Sequence, residues 1–498
     1  MALTNAFVVE KQPYTTSEII ITVNDRASGG PPSQVTVGPR LKVPAILAKL
    51  NTRLERLHGF EARGITRVLP SERHPASTMA YTQVFILWFG ANISVNNLAV
   101  ALLGPLVVLR YFMGYWPSKL PTFLNLVLMV GYVTLSFIIA GQMFSAVSGG
   151  SLTIAVGIVV VALVCWVVAV FGMKIFHQYE RYAVPCTTAI HGRCQRKSFR
   201  FAGIPQLLVL FTLIGCAGPY FDTSSQSLGE APTIAANRLS FLSLCLYVPN
   251  SWAAAASDFY VYYPESTPKS RVFLLSLFGL WTSFSFVYLL GIGLATGVTN
   301  HASWADANAI STGALIVAGF APLQGFGLLC SVIVALGVIA NSVPGTYSAA
   351  LGFQVLGRYA KVVPRWVWVT VVIVLQMVMA LAGREVLFIL FQNFLALMGY
   401  WVEFMIVIVA LEHVIFRRVK GFDWSRWEDK SYLPVGWAAL ASFLFGWLGA
   451  VLGMYQIWYV GPLAMLSGGA DVGVWVGCGF ALVTFPPLRW LELTIVGR

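Results

Sequence analysis

The chain has 498 residues, of which 57% are hydrophobic and only 10% are charged, and its mean hydropathy is +0.75. A soluble domain carries about 25% charged residues, so this composition excludes an ordinary soluble enzyme or binding module. The net charge of +12 does not indicate a nucleic-acid partner. The Lys and Arg residues lie in short links between apolar stretches, as the positive-inside rule predicts for a membrane protein.

Residues 1–80 are polar and are predicted to form a cytoplasmic N-terminal segment that is partly disordered. They contain no apolar run of the kind found in signal peptides, so no cleavable leader is expected. The Gly- and Pro-rich segment 26–37 is predicted to be disordered, whereas the basic segment 42–58 has helical spacing. That helix is interpreted either as a solvated helix or as one lying on the membrane surface.

Residues 81–498 are predicted to form one transmembrane domain of the all-α, polytopic class. A bilayer core about 30 Å thick requires about 20 apolar residues per helix, and backbone exposed to lipid must satisfy its own hydrogen bonds, which favours helices. Eleven apolar stretches are long enough, at 84–109, 122–147, 151–177, 203–222, 239–262, 272–298, 325–357, 364–383, 387–416, 435–457 and 470–490.

The links between these spans alternate in charge from the second span onward. Lys and Arg concentrate in links that should therefore be cytoplasmic, at 174–200, 263–271, 357–365 and 417–430. The C-terminus should also be cytoplasmic. The intervening links contain few Lys or Arg residues and should face outward, at 148–150, 223–238, 299–324, 384–386 and 458–469.

The first span breaks this alternation. The N-terminal segment and the link 110–121, which carries Arg110 and Lys119, should both be cytoplasmic, yet only the span 84–109 separates them. One crossing cannot return to its starting side, so this span is either a re-entrant hairpin or the neighbour of a missing helix. The missing helix is favoured, because a lipid-exposed turn would leave backbone groups unpaired.

Polar residues and helix breaks inside spans are costly in lipid and therefore indicate sites. Three spans combine them, and the residues selected there are Ser94, Asn97, Trp252, Asn341, Ser342 and Pro344. A Trp face can stack on a planar ring, and an Asn amide can both donate to and accept from the edge of a nucleobase. Interhelical hydrogen bonds, a packed Trp beside a proline kink and a kinked packing helix remain alternative interpretations.

Further candidates lie on other spans. Tyr132 and Ser136 are four residues apart and share one helical face, which suits a ring and its edge, although core packing explains them equally well. Glu403, near the centre of its span, is a candidate proton carrier, as is Glu180, for which a surface pair with Arg181 is the alternative. Gly449 and Gly453 form a GxxxG packing motif.

Other classes of site are not expected. The seven Cys residues show no CxxC spacing and are interpreted as small hydrophobic residues, so neither disulfides nor a metal site is predicted. The sequence lacks HExxH, GxSxG and GxxxxGK[ST] motifs, and the chain is predicted not to be an enzyme.

Several segments closely resemble fungal purine–cytosine permeases of the nucleobase–cation symport family, over about residues 58–498. They are LHGFEARGITRVLPSERH, NNLAVALLGPLV, SWAAAASDFYVYYPEST, NSVPGTYSAALGFQVLGRY, NFLALMGYWVEF and FPPLRWLEL. The resemblance implies a LeuT-like inverted-repeat fold with twelve helices and cytoplasmic termini. It also implies alternating-access, proton-coupled uptake of cytosine and purines across the plasma membrane. The proton would be the coupling ion, with no cofactor.

The resemblance also assigns residues. It places substrate binding at Ser94, Asn97, Ser136, Trp252, Asn341 and Pro344, and it favours Glu180 over Glu403 as the coupling carboxylate. Ser342 and Ser136 stand where relatives have Asn, which weakens the expectation of cytosine specificity. A permease for another heterocycle such as pyridoxine therefore remains an alternative, and the missing helix leaves a non-transporting paralogue as another. The expected partners are a nucleobase-like substrate and the bilayer, and no oligomeric state is predicted.

Two larger departures concern the chain itself. The second helix of the family should lie between Val108 and Arg110, where this chain has no room for it, which matches the break in the charge alternation. The basic segment 183–203 is an atypical insertion. A skipped exon and a retained intron in the gene model would explain both departures.

Overall fold

The computed structural model of the chain describes residues 21–23, 33–35, 45–57, 60, 89, 109–171, 204–224, 231–251, 268–417, 426 and 428–498. In the N-terminal segment, β1 (Ile21–Val23) pairs antiparallel with β2 (Ser33–Val35). Residues 33–35 belong to the segment predicted to be disordered. Helix α1 (Ala45–Leu54) lies within the segment with helical spacing.

The remainder of the described chain is a bundle of helices. Its first half consists of α2 (Leu109–Met113), α3 (Lys119–Val147), α4 (Ile154–Phe171), α5 (Ile204–Ala217), α6 (Ala231–Ser251) and α7 (Lys269–Val298). Its second half begins with α8 (Ala302–Ile310), α9 (Thr312–Ala318), α10 (Gln324–Leu356), α11 (Arg358–Val362) and α12 (Arg365–Gly383). It continues with α13 (Leu387–Leu411), α14 (Trp437–Gly453), a hairpin of β3 (Tyr455–Gln456) and β4 (Tyr459–Val460), α15 (Pro462–Leu466) and α16 (Gly473–Val496).

Among the described residues, seven helices are long and apolar enough to cross a membrane, and two shorter apolar helices accompany them. Every predicted span from the second onward overlaps one of the helices α3 to α16. The first predicted span lies almost entirely outside the described residues, so the choice between a hairpin and a missing helix remains a prediction.

Three features differ from the sequence-based expectations. Helix α6 begins at Ala231, within a predicted link. The link predicted at 299–324 contains the two short helices α8 and α9. Helix α10 continues through Pro344 without interruption, because a proline removes only one backbone hydrogen bond and the flanking turns remain packed.

Helices α14 and α16 pack closely through glycines. A Cβ added at Gly449 would lie 2.9 Å from the Cα of Gly477, and one added at Gly453 would lie 3.0 Å from the backbone nitrogen of Gly473. Small residues let helix backbones approach in this way. The GxxxG motif predicted for packing is confirmed.

Buried arginines cap two helices at one end of the bundle. Arg365 donates hydrogen bonds to the carbonyls of Ala169 (2.9 Å) and Val170 (3.1 Å) at the end of α4. Arg110 donates to the carbonyl of Val355 (3.0 Å) at the end of α10. The last carbonyls of a helix have no partner within it, and the negative end of the helix dipole attracts a cation. Both arginines therefore stabilise helix ends in addition to marking the basic links.

Contacts between links show that several basic links share this end of the bundle. Lys361 forms an ion pair with Glu428 at 2.7 Å, which joins two links predicted to be cytoplasmic. The C-terminal residue Arg498 donates to the carbonyl of Lys430 at 3.1 Å. These contacts agree with the grouping of links by charge.

The links at the opposite end are also in contact with one another. The side-chain amide of Asn300, after α7, donates to a carboxylate oxygen of Asp222, after α5, at 2.8 Å. The backbone N–H of Gly313 at the start of α9 donates to Gln142 near the end of α3, at 3.2 Å. Helices α8 and α9 therefore cover this end of the bundle.

Candidate substrate site

Two residues selected from different spans form a direct hydrogen bond. The hydroxyl of Tyr132 on α3 donates to the Oδ1 atom of Asn341 on α10 at 2.6 Å, and each residue is only 2% exposed. Gly345, one turn beyond Asn341, allows the two helices to approach, because a Cβ there would lie 2.9 Å from the side chain of Val133. This bond fixes the amide of Asn341 with its oxygen toward α3.

The two predicted serines point their hydroxyl hydrogens into their own helices. Ser136 donates to the carbonyl of Tyr132 at 3.1 Å, and Ser342 donates to the carbonyl of Val338 at 2.8 Å. A serine oxygen that has used its hydrogen in this way retains lone pairs and acts toward a ligand as an acceptor. In this conformation Ser342 therefore offers an acceptor at the position where the family resemblance implies an Asn.

Pro344 acts on the same segment through the backbone. It has no N–H to offer to the carbonyl of Ala340, four residues earlier, so that carbonyl lacks its usual donor within the helix. The carbonyl lies one position before Asn341, in the segment selected from the sequence.

Gln206 of α5 is a further polar residue near the site that the sequence pattern does not reveal. Its side chain lies against Gly337 of α10, where an added Cβ would be 2.3 Å from the Oε1 atom of Gln206. Gly337 is one helical turn before Asn341, so both lie on one face of α10. Gln206 is 8% exposed, and its Nε2 atom has no hydrogen-bond partner among the described residues. The signal in the sequence was a single amide in the apolar span 203–222.

A second group of buried polar side chains joins the helices next to the site. Thr346 on α10 donates to Gln376 on α12 at 3.1 Å, and Cys165 on α4 lies 3.8 Å from the Thr346 hydroxyl. Thr134 on α3 bonds mainly to its own helix but also lies 3.4 Å from the carbonyl of Gln376. Helices α3, α4, α10 and α12 are therefore held together by polar contacts beside the Tyr132–Asn341 pair.

The carboxylate of Glu403 contacts the region of α6 that contains the predicted break. Its Oε1 atom accepts a hydrogen bond from the side-chain amide of Asn250 at 2.7 Å, and Asn250 follows Pro249 directly. Glu403 thus links α13 to the end of α6, two residues before the position of Trp252.

Glu412, at the end of the same helix, has a structural environment. It is fully buried and accepts hydrogen bonds from Arg489 at 2.9 and 3.0 Å and from Arg417 at 3.0 Å. Glu412 therefore joins α13 to Arg489 of α16 and to Arg417 through buried ion pairs. Within the described residues, no three His, Cys, Asp or Glu side chains are grouped so that they could hold a metal ion.

Four of the predicted site residues lie outside the described residues. They are Ser94, Asn97, Trp252 and Glu180. The structure therefore brings together Tyr132, Ser136, Asn341, Ser342 and Pro344 on the facing helices α3 and α10 and places Glu403 on α13 against α6.

The family model described as permease for cytosine/purines, uracil, thiamine, allantoin matches residues 105–477. This chain belongs to that family. The permease is therefore a membrane transporter and not an enzyme, as the sequence analysis predicts.

Relatives of this permease are similar along nearly their whole length. A vitamin B6 transporter of Saccharomyces cerevisiae is 28% identical, over 91% of this chain and 92% of the relative. A purine-cytosine permease of Emericella nidulans is 28% identical over 99% of both chains. A purine-cytosine permease of Saccharomyces cerevisiae is 27% identical over 90% of both.

Solved structures of Mhp1 share the fold of this permease. The inward-facing conformation of Mhp1 matches with a TM-score of 0.56 at 13% identity, over 87% of this chain and 96% of Mhp1. A closed conformation with bromovinylhydantoin bound, described as a nucleobase-cation-symport-1 family transporter, matches with a TM-score of 0.52 at 12% identity, over 86% and 96%. The predicted LeuT-like fold is confirmed.

Proposed function

We propose that this permease is a proton-coupled symporter that takes up a planar nitrogen heterocycle by alternating access. The hydrogen bond between Tyr132 and Asn341 carries the proposal, because it orients a buried amide at the interface of α3 and α10. The sequence predicts both Tyr132 and Asn341 as substrate-binding residues. In a LeuT-like fold, substrates bind near the middle of the bilayer, where one group of helices meets the other.

The proposed binding mode follows from the chemistry of the side chains. Trp252 stacks on the ring, Asn341 and Ser94 bind its polar edge, and Asn97, Ser136 and Ser342 complete the polar surface. Cytosine and purines are the first candidates, since relatives named as purine-cytosine permeases are similar over at least 90% of the chain.

Pyridoxine is the second candidate substrate, and two observations favour it. A relative named as a vitamin B6 transporter is 28% identical over 91% of the chain. In addition, Ser342 presents an acceptor rather than an amide donor at the site, which changes the pattern that the ring edge must match.

The location and the coupling ion belong to the same proposal. The basic links share one end of the bundle, and the positive-inside rule assigns that end, with both termini, to the cytoplasm. The permease would then lie in the plasma membrane. Glu180 is the proposed coupling carboxylate by family resemblance, with Glu403 as the alternative.

Uptake assays in fungal cells that lack their own nucleobase and pyridoxine permeases test the proposal. Radiolabelled cytosine, adenine and pyridoxine are each offered with the others as competitors, at several external pH values. We expect saturable uptake of one ligand class that increases as external pH falls. A wild-type chain that reaches the plasma membrane and transports none of these ligands would be a non-transporting paralogue and would contradict the proposal.

The same assay tests the site. Asn341→Ala should abolish uptake while the protein still reaches the membrane, because it removes the proposed edge-binding amide. Ser331→Ala is the matched control, since Ser331 is a buried residue of α10 whose hydroxyl bonds to Gly327 of its own helix. Uptake by Asn341→Ala equal to that of the control would remove Asn341 from the site.

A further inference from the structure

Four polar residues of helix α6 form a stripe that faces α13 and the start of α16. The stripe consists of Ser240, Ser243, Tyr247 and Asn250, which are spaced by three, four and three residues. This spacing keeps all four on one side of a helix. Each of them contacts α13, α16 or the residues just before α16.

The two serines at the first end of the stripe accept hydrogen bonds from the neighbouring elements. Ser240 accepts from the backbone N–H of Asp471 at 2.9 Å, and Ser243 accepts from the indole N–H of Trp475 at 3.1 Å. Each serine donates its own hydrogen to the carbonyl four residues earlier in α6. Each hydroxyl therefore both donates and accepts a hydrogen bond, and the two serines hold α6 against the start of α16.

The other two stripe residues contact α13. The ring of Tyr247 lies on the backbone of Gly399, where a Cβ would be 2.2 Å from the Cγ atom of Tyr247. It also meets the ring of Tyr400 edge-on, with centroids 5.9 Å apart. Asn250 donates to Glu403 at 2.7 Å. The stripe thus runs from Asp471 at one end to Glu403 at the other.

Asp471 is a buried carboxylate in the link that precedes α16. It is 7% exposed and accepts hydrogen bonds from Tyr400 at 2.5 Å, from Gln456 at 2.8 Å and from the backbone of Gly473 at 3.0 Å. Burial raises the pKa of Asp471 above the ordinary value of an aspartate. The link 458–469 just before it is one that the charge pattern assigns to the outside.

Neither Asp471 nor Glu403 forms an ion pair with a Lys or Arg of the described residues, in contrast to Glu412. The titratable groups that face them are Tyr247 from α6, Tyr400 from α13 and Cys478 from α16. A carboxylate buried without a cation favours uptake of a proton.

In the stripe, Tyr247 lies between Ser240, which bonds to the backbone of Asp471, and Asn250, which bonds to Glu403. Tyr247 interacts electrostatically with both Asp471 and Glu403. Tyr247 is 3% exposed, and within the described part of the chain its hydroxyl has no hydrogen-bond partner. A buried hydroxyl without a partner costs about 1–3 kcal/mol. Among the described contacts, none that stabilises the fold requires a Tyr rather than a Phe at this position.

We propose that Asp471, Tyr247 and Glu403 form a proton-transfer path along α6, which delivers the coupling proton from the outward end of the bundle to Glu403. This inference rests on the proposed proton-coupled transport and takes Glu403, the alternative to Glu180, as the coupling carboxylate. The carboxyl of Asp471 takes up a proton from outside and passes it through a bridging water to the oxygen of Tyr247, because the Tyr247 hydroxyl is not itself hydrogen-bonded to either carboxylate. The phenol releases its own proton to the carboxylate of Glu403, so the tyrosine ends unchanged and Asp471 is again ionised.

Protonation of Glu403 would also alter how α6 is held. A hydrogen bond from an amide to a carboxylate is about twice as strong as one to a neutral acid. Loss of the charge on Glu403 therefore weakens its bond to Asn250 and loosens α6 from α13. In this way proton binding and the movement of the substrate-binding helix are linked through one contact.

The variant Tyr247→Phe gives the sharpest test, because it removes only the hydroxyl that is proposed to relay the proton. We expect its thermal unfolding temperature in detergent to equal or exceed that of the wild type and its substrate affinity to remain unchanged. Uptake driven by an inward proton gradient into proteoliposomes should be lost. A lower unfolding temperature, or gradient-driven uptake at the wild-type rate, would overturn the proposed path.

Glu403→Gln provides the second measurement, since glutamine keeps an acceptor for Asn250 but cannot take up a proton. We expect exchange of internal for external substrate to persist and the dependence of uptake on external pH to disappear. Glu385→Gln is the matched control, because Glu385 precedes α13 and its side chain is 78% exposed. If Glu403→Gln retains the wild-type pH profile, the path is wrong while the transport function stands. If the wild type transports no ligand, the proposed function itself fails.

Discussion

At the scale of single residues, the hydrogen bond from Tyr132 to Asn341 makes the orientation of one amide depend on a neighbouring helix. Both partners are buried, so the amide of Asn341 cannot compensate by bonding to bulk water. Tyr132 therefore belongs to the candidate site through its hydroxyl, although its ring is also packed in the core.

Tyr132→Phe is expected to weaken substrate binding without preventing folding. The variant removes the donor to Asn341 at a cost of about 0.5–1.5 kcal/mol, which corresponds to about a 2- to 10-fold increase in KM for uptake. Tyr115→Phe is the control, since Tyr115 lies in the link before α3, away from the site. The measurement is KM for uptake by both variants and the wild type at equal surface expression. An unchanged KM for Tyr132→Phe would show that this bond does not position the ligand.

The residues that the sequence revealed share a simple property. Tyr132, Asn341 and Glu403 are polar side chains in strongly apolar surroundings, which the cost of burial makes conspicuous. Gln206 has the same property but was missed, because nothing in a single apolar span indicates that its side chain meets Gly337 of a distant helix. Contacts between helices depend on tertiary packing, which hydropathy does not encode.

At the scale of elements, the close approach of α14 and α16 depends on glycines. Gly477→Ala would place a Cβ 2.3 Å from the ring of Phe404 and 2.7 Å from the carbonyl of Gly446. Overpacking of this kind costs about 1–3 kcal/mol. We therefore expect a clearly lower thermal unfolding temperature in detergent.

Gly479→Ala on the same helix is the control for this prediction. An added Cβ at Gly479 meets nothing within 4 Å, and replacing a helical glycine by alanine stabilises by about 0.4–1 kcal/mol. The unfolding temperatures of the two variants should therefore move in opposite directions. Equal shifts would mean that the α14–α16 contact does not limit stability.

Apolar length predicted the membrane helices well because the bilayer imposes it. It did not predict helical segments that are too polar or too short to cross a membrane. The first turns of α6, which include the polar pair Asn237 and Arg238, and the short helices α8 and α9 fall in links that are too polar for a span. Their positions follow from packing on neighbours, as in the contact of Gly313 with Gln142, and hydropathy carries no signal for that.

At the scale of the whole molecule, the described chain shares the fold of Mhp1, and the absence of a second family helix remains a prediction from the sequence. The described chain resumes at Leu109 and runs through α2 into the basic end of the bundle. There a Cβ at Gly114 would lie 2.5 Å from the carbonyl of Pro434. The link after the first span therefore lies at the end that the charge pattern assigned to it.

Sequencing of full-length transcripts from the source organism tests the hypothesis about the gene model. We expect a message that encodes an additional apolar segment of about 20 residues between Val108 and Arg110 and that lacks the insertion 183–203. The charge alternation of the encoded protein would then hold from its first helix onward. A mature message that encodes the chain as it stands would refute the hypothesis.

Arg110 and Arg365 show that one pair of side chains serves two stages in the life of the protein. During insertion, positive charge beside a span helps decide which way the span crosses. After folding, the same guanidinium groups hold the last carbonyls of α10 and α4. A substitution that removes either charge would therefore change the orientation signal and also remove hydrogen bonds at the end of a helix. Membrane orientation and fold thus depend on the same two side chains.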